Sequence, residues 1–425
     1  MRRPLSAWQG RPTAGIRWTA GQYSVFRVLL GTYLFVHFVH LLPWGAEVFS
    51  NQGMLAQGAA SPLFHLFPSV LLWSDSPAAV VALILAGSFS AALLALGYRD
   101  KLAAAVAWYV LACLFGRNPL IANPALPFVG WMLLAHLFVA PPGADARAGA
   151  AQAGPSGDRA TSHPIFVAAW VILALSYSYS GYTKLLSPSW VSGDSVSYVL
   201  QNPLARDYLL RDLLLDLPAG VLRGLTWTIM WVELLFAPLA LIPRLRPILW
   251  TIMLVVQVGF LLLLNFADLT IPMLLFHLLT FDPSWVGSTR ARPPETIYYD
   301  GHCGLCHWVV RFVLAEDAAA QFRFAPLQGQ SFREAVSTAA RASLPDSFVV
   351  IDERGRLFTQ GGAVVHVLRR LGGLWGIVGV GLRLMPAIVL DLGYSGIGRI
   401  RYRLFGRQPD TCPVVPETLR SRFSP

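Results

Sequence analysis

Charge is what this chain has least of. Only 13% of its 425 residues are Asp, Glu, Lys or Arg, against 55% hydrophobic residues and a mean hydropathy of +0.53. A soluble globular surface needs more charge than that, so much of the length belongs in lipid. Acids are scarcer than bases, 23 against 33, which leaves a formal charge of +10. Most of the basic residues sit in short loops between apolar runs, where they orient helices in a bilayer, so nucleic acid is not expected as a partner. Cysteine is almost missing: Cys113, Cys303, Cys306 and Cys412 are too few for a secreted disulfide framework. Lysine is scarcer still, with Lys101 and Lys184 alone among 33 basic residues. The N-terminus lacks a small-residue cleavage site behind a short apolar core, so the first apolar run is expected to stay as an anchor.

What the chain has instead is a series of apolar runs. Eight read as membrane-crossing helices: Tyr23 to Leu42, Ala78 to Tyr98, Leu102 to Gly116, Ala125 to Ala140, Pro164 to Tyr182, Gly224 to Ile242, Pro247 to Asn265 and Leu269 to Phe281. Arg2, Arg3, Arg11 and Arg17 precede the first run, while Pro43 to Pro77 holds neither Lys nor Arg, which puts the N-terminus in the cytoplasm. Arg99 with Lys101, Arg147 with Arg159, and Arg244 with Arg246 then fall inside. The loop from Thr183 to Arg223 breaks the rule, being outside yet carrying Lys184, Arg206, Arg211 and Arg223, offset by Asp194, Asp207, Asp212 and Asp216. Eight spans return the C-terminus to the cytoplasm, and the membrane expected is a bacterial-type plasma membrane. Residues 141–157, rich in Ala and Gly, read as a flexible cytoplasmic loop. Three regions result: a cytoplasmic segment 1–22, a transmembrane helical bundle 23–285 and a C-terminal domain 293–425.

From about Pro293 the pattern changes. TIYYD reads as a strand, Cys306 to Glu316 as a helix, FRFAP as a second strand, and Phe332 to Ala342 as a helix. SFVVID and RLFTQ form a hairpin about a turn at Asp352 to Gly355, and Ala363 to Leu371 is a further helix. That order makes a compact α/β unit of thioredoxin-like type, so the fold class is mostly α with a small α/β domain at the end. Beyond it, Arg383 and Pro386 turn LWGIVGVGLRLMPAIVL into an amphipathic or packed helix rather than a ninth span. Arg399, Arg401, Arg403 and Arg407, interleaved with Ile, Tyr, Leu and Phe, suit either an anionic membrane surface or a solvated basic face.

Chemistry concentrates in YYDGHCGLCHWVVRF, Tyr298 to Phe312. A cysteine that starts a helix after a strand has its thiolate stabilised by free N–H groups and the helix dipole. Cys303 holds that place as the exposed nucleophile. Cys306, one turn on, is set to resolve a mixed disulfide. Asp300 ends the strand beneath the pair and, if buried, is able to carry a proton for Cys306, or else is a plain turn residue. C-G-L-C-H also has the form of covalent haem attachment, which requires an export compartment. Zinc would need two further ligands, for which His302, His307 and Cys412 are the candidates on paper. Cys113, inside an apolar helix, reads as a packing residue.

The motifs D-G-x-C-x-x-C, RFAPLQ, DSFVVID and RYRLFG with a late cysteine together resemble the DCC family of thiol-disulfide oxidoreductases over about Glu295 to Cys412. The resemblance implies a thioredoxin-like fold with Asp300, Cys303 and Cys306 as its signature. No proline directly precedes SFVVID, unlike ordinary thioredoxins, although Pro345 is near.

Lys184 follows the aromatic run SYSYSGY at the outer end of the fifth span. Partial burial there would lower its pKa toward that of a base, while interfacial anchoring is the plainer role. Lys101, in a tight cytoplasmic loop, reads as topogenic. YSGYTKLLSPSWVSG, with Lys184, Trp190 and Gly193, resembles a segment of the vitamin K-dependent gamma-carboxylases and their bacterial HTTM relatives. FRVLLG, GYRDKL and IPMLLF extend the likeness over Gln22 to Trp285. The resemblance implies a lysine base acting on a reduced isoprenoid quinone; the carboxylases' large lumenal domain has no counterpart in this sequence. The reading that follows is an integral membrane thiol-disulfide oxidoreductase. Its dithiol needs no cofactor, its partners are lipid and protein or small-molecule thiols, and its membrane half holds a quinone or other lipophilic substrate. A quinol-dependent carboxylase-like enzyme using Lys184, and a non-enzymatic redox-sensing scaffold, are the alternatives. In the first alternative the two sites lie ~30 Å apart across the hydrocarbon.

Overall fold

The protein is described by a computed structural model covering residues 18–121, 123–139, 163–286, 293–317, 319–345, 347–406 and 417–424. Arg2, Arg3, Arg11, Arg17, Arg147, Arg159, Arg407, Cys412 and the expected loop 141–157 lie outside the described residues. Two compact units emerge. One covers Val25–Val139 and Ser162–Phe281; the other covers Asp282–Pro425 with the residues up to Ser24 and Ala140–Thr161.

The first unit is helical. Its main helices are α1 (Ala20–Leu41), α2 (Pro77–Leu96), α3 (Asp100–Arg117), α4 (Leu126–Phe138), α5 (His163–Leu185), α6 (Leu209–Leu215), α7 (Ala219–Leu234), α8 (Arg246–Leu263) and α9 (Ala267–Thr280). Local chemistry fixes their ends. Ser76 caps α2 by accepting from the Ala79 N–H, Pro77 occupies the first turn, and Gly97 closes it at φ 75°. Two cations finish helix C-termini, where carbonyls lack intrahelical partners. Arg27 donates to the carbonyls of Leu94 and Ala95, and Lys101 donates to those of His136, Leu137 and Val139. Lys101, expected in a loop, is therefore the second residue of α3 and caps the end of α4.

Helices occur at all eight expected positions, and α1, α2, α5 and α8 are long and apolar enough to cross a membrane. The count rises to six if each of two bent pairs, α6 with α7 and a second in the C-terminal unit, is one span. At 1.5 Å per residue the 13 residues of α4 and 14 of α9 reach only ~20 Å, short of a hydrocarbon core of ~30 Å. The helix α3 carries Asp100, Lys101 and Arg117 within 18 residues. The basic residues of the Thr183 to Arg223 loop, which broke the charge rule, are engaged locally. Arg211 pairs with Asp207 at 2.6 Å, Arg223 with Asp194 at 3.4 Å and Lys184 with Glu233 at 2.5 Å, and Arg206 Nε donates to the Leu264 carbonyl at 3.2 Å.

The second unit is built on a four-stranded mixed sheet. The strands β1 (Glu295–Tyr299), β2 (Phe322–Pro326), β3 (Val349–Ile351) and β4 (Leu357–Thr359) lie in the order β2-β1-β3-β4. β1 runs parallel to β2, with Ile297 opposite Phe324, and antiparallel to β3, with Ile297 opposite Val350. A parallel pair needs a crossover, and α10 (Gly304–Glu316) supplies it. The expected helix near Phe332 to Ala342 is two, α11 (Gln330–Ala335) and α12 (Thr338–Ser343), because Ser337 leaves the helix and caps the second by accepting from the Ala340 N–H. Helices α13 (Gln360–Leu371), α14 (Gly373–Arg383) and α15 (Ala387–Phe405) follow. The would-be ninth span is α14 and the start of α15, bent by 113°. Side chains alternate along β1: Ile297 and Tyr299 join Val310, Val313, Phe322, Phe324 and Val350 on one face, and Tyr298 joins Ala325, Phe332 and Val349 on the other. Both faces are covered, and the parallel pair lies at the β2 edge of the sheet.

Candidate functional site

The dithiol sits where β1 passes into α10. Cys303 occupies the N-cap position in an extended conformation, and its carbonyl accepts from the His307 N–H at 3.1 Å. Cys306 lies one turn into the helix. The two sulfurs are hydrogen-bonded and both thiols are free. Cys306 donates its S–H to the Cys303 sulfur, and this bond, with the Cys306 and Leu305 amides and the nearby Arg401 charge, brings the Cys303 thiol down to about 6 against the opposing effect of burial. The same bond, burial and the Cys303 charge push Cys306 far up, so the pair shares one proton and Cys306 keeps it.

Cys303 is not the exposed nucleophile expected. It has no solvent-accessible surface, and Cys306 is 8% exposed. The end of α15 packs against the helix start that carries the pair: the Gly406 carbonyl accepts from the Gly304 N–H at 3.3 Å, and Tyr394 joins the same core as Cys303 and Cys306. Arg401 of α15, 4% exposed, approaches Asp300 at 3.4 Å. Arg401 therefore points inward rather than joining a surface row with Arg399 and Arg403, which are exposed.

Asp300 is partly buried beside the dithiol. Its Oδ1 accepts from the His302 N–H at 3.0 Å and Gln328 Nε2 at 3.1 Å, and its Oδ2 faces Arg401. It thus ties together the start of the motif, the loop after β2 and α15. The His307 ring is buried, with Nε2 bonded to the Gly301 carbonyl at 2.8 Å, and burial first of all lowers its pKa. With Nε2 engaged, only Nδ1 of this ring would be left as a ligand atom. Exposed His302 lies apart from it in burial, Cys412 is outside the described residues, and among the described residues no group of three metal-ligating side chains occurs. An apolar cavity of about 270 Å³ opens beside Cys306, with Trp308, Phe312, Phe348, Tyr394 and Ile397 in its walls and Arg401 at its edge.

Lys184 is elsewhere, in the helical unit. Its Nζ donates to Glu233 Oε2 at 2.5 Å and Ser180 Oγ at 2.8 Å, and lies 4.9 Å from the centre of the Trp190 ring. Lys184 and Glu233 side chains are 15% and 5% exposed, so this is an enclosed ion pair. Gly181 makes it geometrically feasible: a Cβ there would lie 2.2 Å from the Leu234 nitrogen, so α5 and α7 touch backbone to backbone one turn from Lys184. Gly193, at φ 88°, turns the chain behind Trp190. Sequence reasoning overlooked Glu233, although it is the sole acid in the apolar stretch Gly224 to Ile242 and was detectable on that ground. Cys113 is fully buried in α3, in keeping with a packing role.

Comparison with known proteins bears on the second unit. A family model described as a DCC1-like thiol-disulfide oxidoreductase matches residues 297–407. YuxK of Bacillus subtilis (strain 168), described as uncharacterized, is 31% identical over 137 residues, which are 31% of this chain and 96% of that protein. A chloroplastic DCC family protein of Arabidopsis thaliana is 30% identical over 134 residues, 31% of this chain and 77% of that protein. No solved structure matches the chain. Through its C-terminal domain, the chain belongs to the DCC family of thiol-disulfide oxidoreductases.

Proposed function

We propose that this is an integral membrane enzyme whose dithiol exchanges electrons with protein or small-molecule thiols on the cytoplasmic face of a bacterial-type plasma membrane. The observation that carries the reading is the placement of two free thiols directly after β1, Cys303 at the N-cap of α10 and Cys306 one turn on; there Cys303 is brought down to about 6 while Cys306 is pushed up. The β-α-β order with its closing hairpin supports a thioredoxin-like setting for that pair.

In the reducing direction the Cys303 thiolate attacks one sulfur of a substrate disulfide. A Cys303–substrate disulfide forms and the other substrate sulfur leaves as a thiolate, taking a proton from water. Cys306 then gives up its proton, attacks the Cys303 sulfur and expels the second substrate thiolate, which takes up that proton. Two electrons and two protons reach the substrate, and the enzyme ends as the Cys303–Cys306 disulfide, which an external dithiol reduces. Because Cys303 is covered, the first attack requires the end of α15 to move aside. Asp300, held against Arg401, acts in this scheme as a fastener of α15 and as the candidate proton carrier for the resolving thiol.

The test is disulfide reduction by the purified full chain in nanodiscs. Cys306→Ser should trap a mixed disulfide on Cys303, and Cys303→Ser should remove turnover. Unchanged turnover in Cys303→Ser overturns the reading.

A second reading concerns the helical unit and is favoured by the enclosed Lys184–Glu233 pair beneath Trp190. Ionisable groups placed among apolar helices mark functional sites. In this reading the unit holds an isoprenoid quinol, as the HTTM resemblance suggests, and Lys184 accepts a proton from it only after passing its own to Glu233. Quinone-dependent turnover that survives Lys184→Ala rules this out.

A further inference from the structure

The helices α14 and α15 show a face that the dithiol chemistry does not use. Between Gly373 and Gly406 the chain has four arginines, Arg383, Arg399, Arg401 and Arg403, against a single acid, Asp391. Two of these charges point inward. Asp391 accepts from the Gly361 N–H at 3.1 Å, and Arg401 turns toward Asp300. Tyr394 also faces inward, its hydroxyl accepting from the Phe348 N–H at 3.1 Å. Everything that holds α15 to the domain therefore lies on one side of the helix.

The other side is apolar and cationic. Val380, Leu384, Ile388, Leu392 and Ile400 are between 45% and 83% exposed. Arg383, Arg399 and Arg403 are exposed among them, and no acid shares the face. The bend of 113° between the helices lies at the Pro386 turn, with Leu384 and Ile388 on either side of it. A soluble surface does not leave a run of large aliphatic residues in water without a partner. Two copies of this face would bring arginine against arginine, so self-association is disfavoured by charge. An anionic lipid surface satisfies both features: aliphatic side chains enter the acyl boundary while arginines meet headgroup phosphates.

We infer that the α14–α15 pair is an interfacial membrane-docking element, seated on a bilayer of anionic lipid with its apolar face some ~5–10 Å into the headgroup boundary. It lies in the plane of the membrane and does not cross it. Each arginine near such a surface is worth about fivefold in partitioning, so Arg399→Gln with Arg403→Gln should weaken docking by roughly 25-fold.

The experiment uses the full chain in nanodiscs of neutral phosphatidylcholine, with or without phosphatidylglycerol. Photoactivatable phosphatidylglycerol carries its diazirine either close to the headgroup or at the tail end, and adducts are mapped by mass spectrometry. The spans of the helical unit serve as the internal control, and no thiol enters the readout, so failure of the dithiol chemistry leaves the result intact. Adducts on residues 380–400 with the headgroup-proximal probe, lost in the double arginine variant and weak with the tail-end probe, are expected. Labelling of this region by both probes alike makes the pair a crossing element and overturns the inference. So does an absence of adducts while the control spans are labelled, and so do crosslinks between two copies through this face.

Discussion

Replacing Cys306 by alanine tests how the dithiol divides its labour. The parent holds Cys303 at about 6, chiefly through the S–H of Cys306, whereas an unperturbed cysteine ionises near ~8.5. At about pH 7 a thiol of pKa ~6 is ~90% thiolate and one of ~8.5 is ~3%. Nucleophilicity runs the other way: with a Brønsted slope of ~0.45, a rise of ~2.5 in pKa makes each thiolate ~13-fold more reactive. The two effects nearly cancel at about pH 7, where Cys306→Ala should alkylate about twofold more slowly; at about pH 9 both thiols are largely ionised, so nucleophilicity prevails and the variant should react about tenfold faster. The value of ~8.5 is the reference, because in the variant burial still opposes the Leu305 amide and the Arg401 charge. The assay is iodoacetamide alkylation of Cys303, followed by mass spectrometry across the pH range in nanodiscs. Opening of the chain over Cys303 scales the whole profile without moving its midpoint, so the midpoint is the primary readout. A midpoint that stays near 6 in Cys306→Ala, or a parent midpoint already near ~8.5, refutes the assignment of Cys306 as the proton holder.

Three other perturbations follow from particular contacts. Arg401→Gln removes the pairing with Asp300 and a charge that favours the Cys303 thiolate. The alkylation midpoint should rise and the plateau rate should increase; an unchanged plateau would mean that this contact does not hold the site closed. Glu233→Gln leaves the Lys184 ammonium enclosed without its counter-ion, at a cost of about 3–5 kcal/mol, while Lys184→Met joined to Glu233→Leu should recover most of the loss. Unfolding in detergent compares them, and an equal loss in both variants contradicts the ion-pair account. For Asp352, burial acts to raise the carboxyl pKa but is outweighed by hydrogen bonds from Arg356 and Arg354, so the folded value lies below the unfolded one. Its contribution to stability is present above the ordinary value of ~3.9 and is lost as pH falls through the lower folded value. Asp352→Asn should therefore destabilise the domain at neutral pH and flatten the acid limb of its stability profile; an unaltered acid limb would contradict this.

The features legible in the sequence are those set by neighbours along the chain. The strand before Asp300, the helix start at Cys303 and the turn at Asp352 depend on spacing and local propensity, and each appears where its residues place it. Ser337 shows the limit even for local signals, since a residue that favours caps divided a helix that periodicity alone drew as continuous. Features that depend on distant chain were not legible. Glu233 stands 49 residues from Lys184, and their meeting rests on the missing side chain of Gly181. The cover over Cys303 comes from a helix that begins beyond Pro386, and nothing in the C-x-x-C spacing announces it.

That cover changes what the low pKa of Cys303 means. A thiolate in water is stabilised by solvation, but here burial works against it, and the S–H of Cys306 together with the Arg401 charge must outweigh burial. Arg401 sits on α15, so the group that helps to ionise Cys303 belongs to the element that hides it. Moving α15 away would admit a substrate and at the same time withdraw part of the stabilisation, and a thiolate of higher pKa is intrinsically the better nucleophile. Under the proposed function, closure would store Cys303 as a covered anion, and opening would make it both accessible and more nucleophilic. The two consequences separate in one measurement: opening raises the plateau of the alkylation profile, and loss of the arginine charge moves its midpoint. If Arg401→Gln raised the plateau without moving the midpoint, the arginine would be a latch alone, and the helix start with Cys306 would suffice to ionise Cys303.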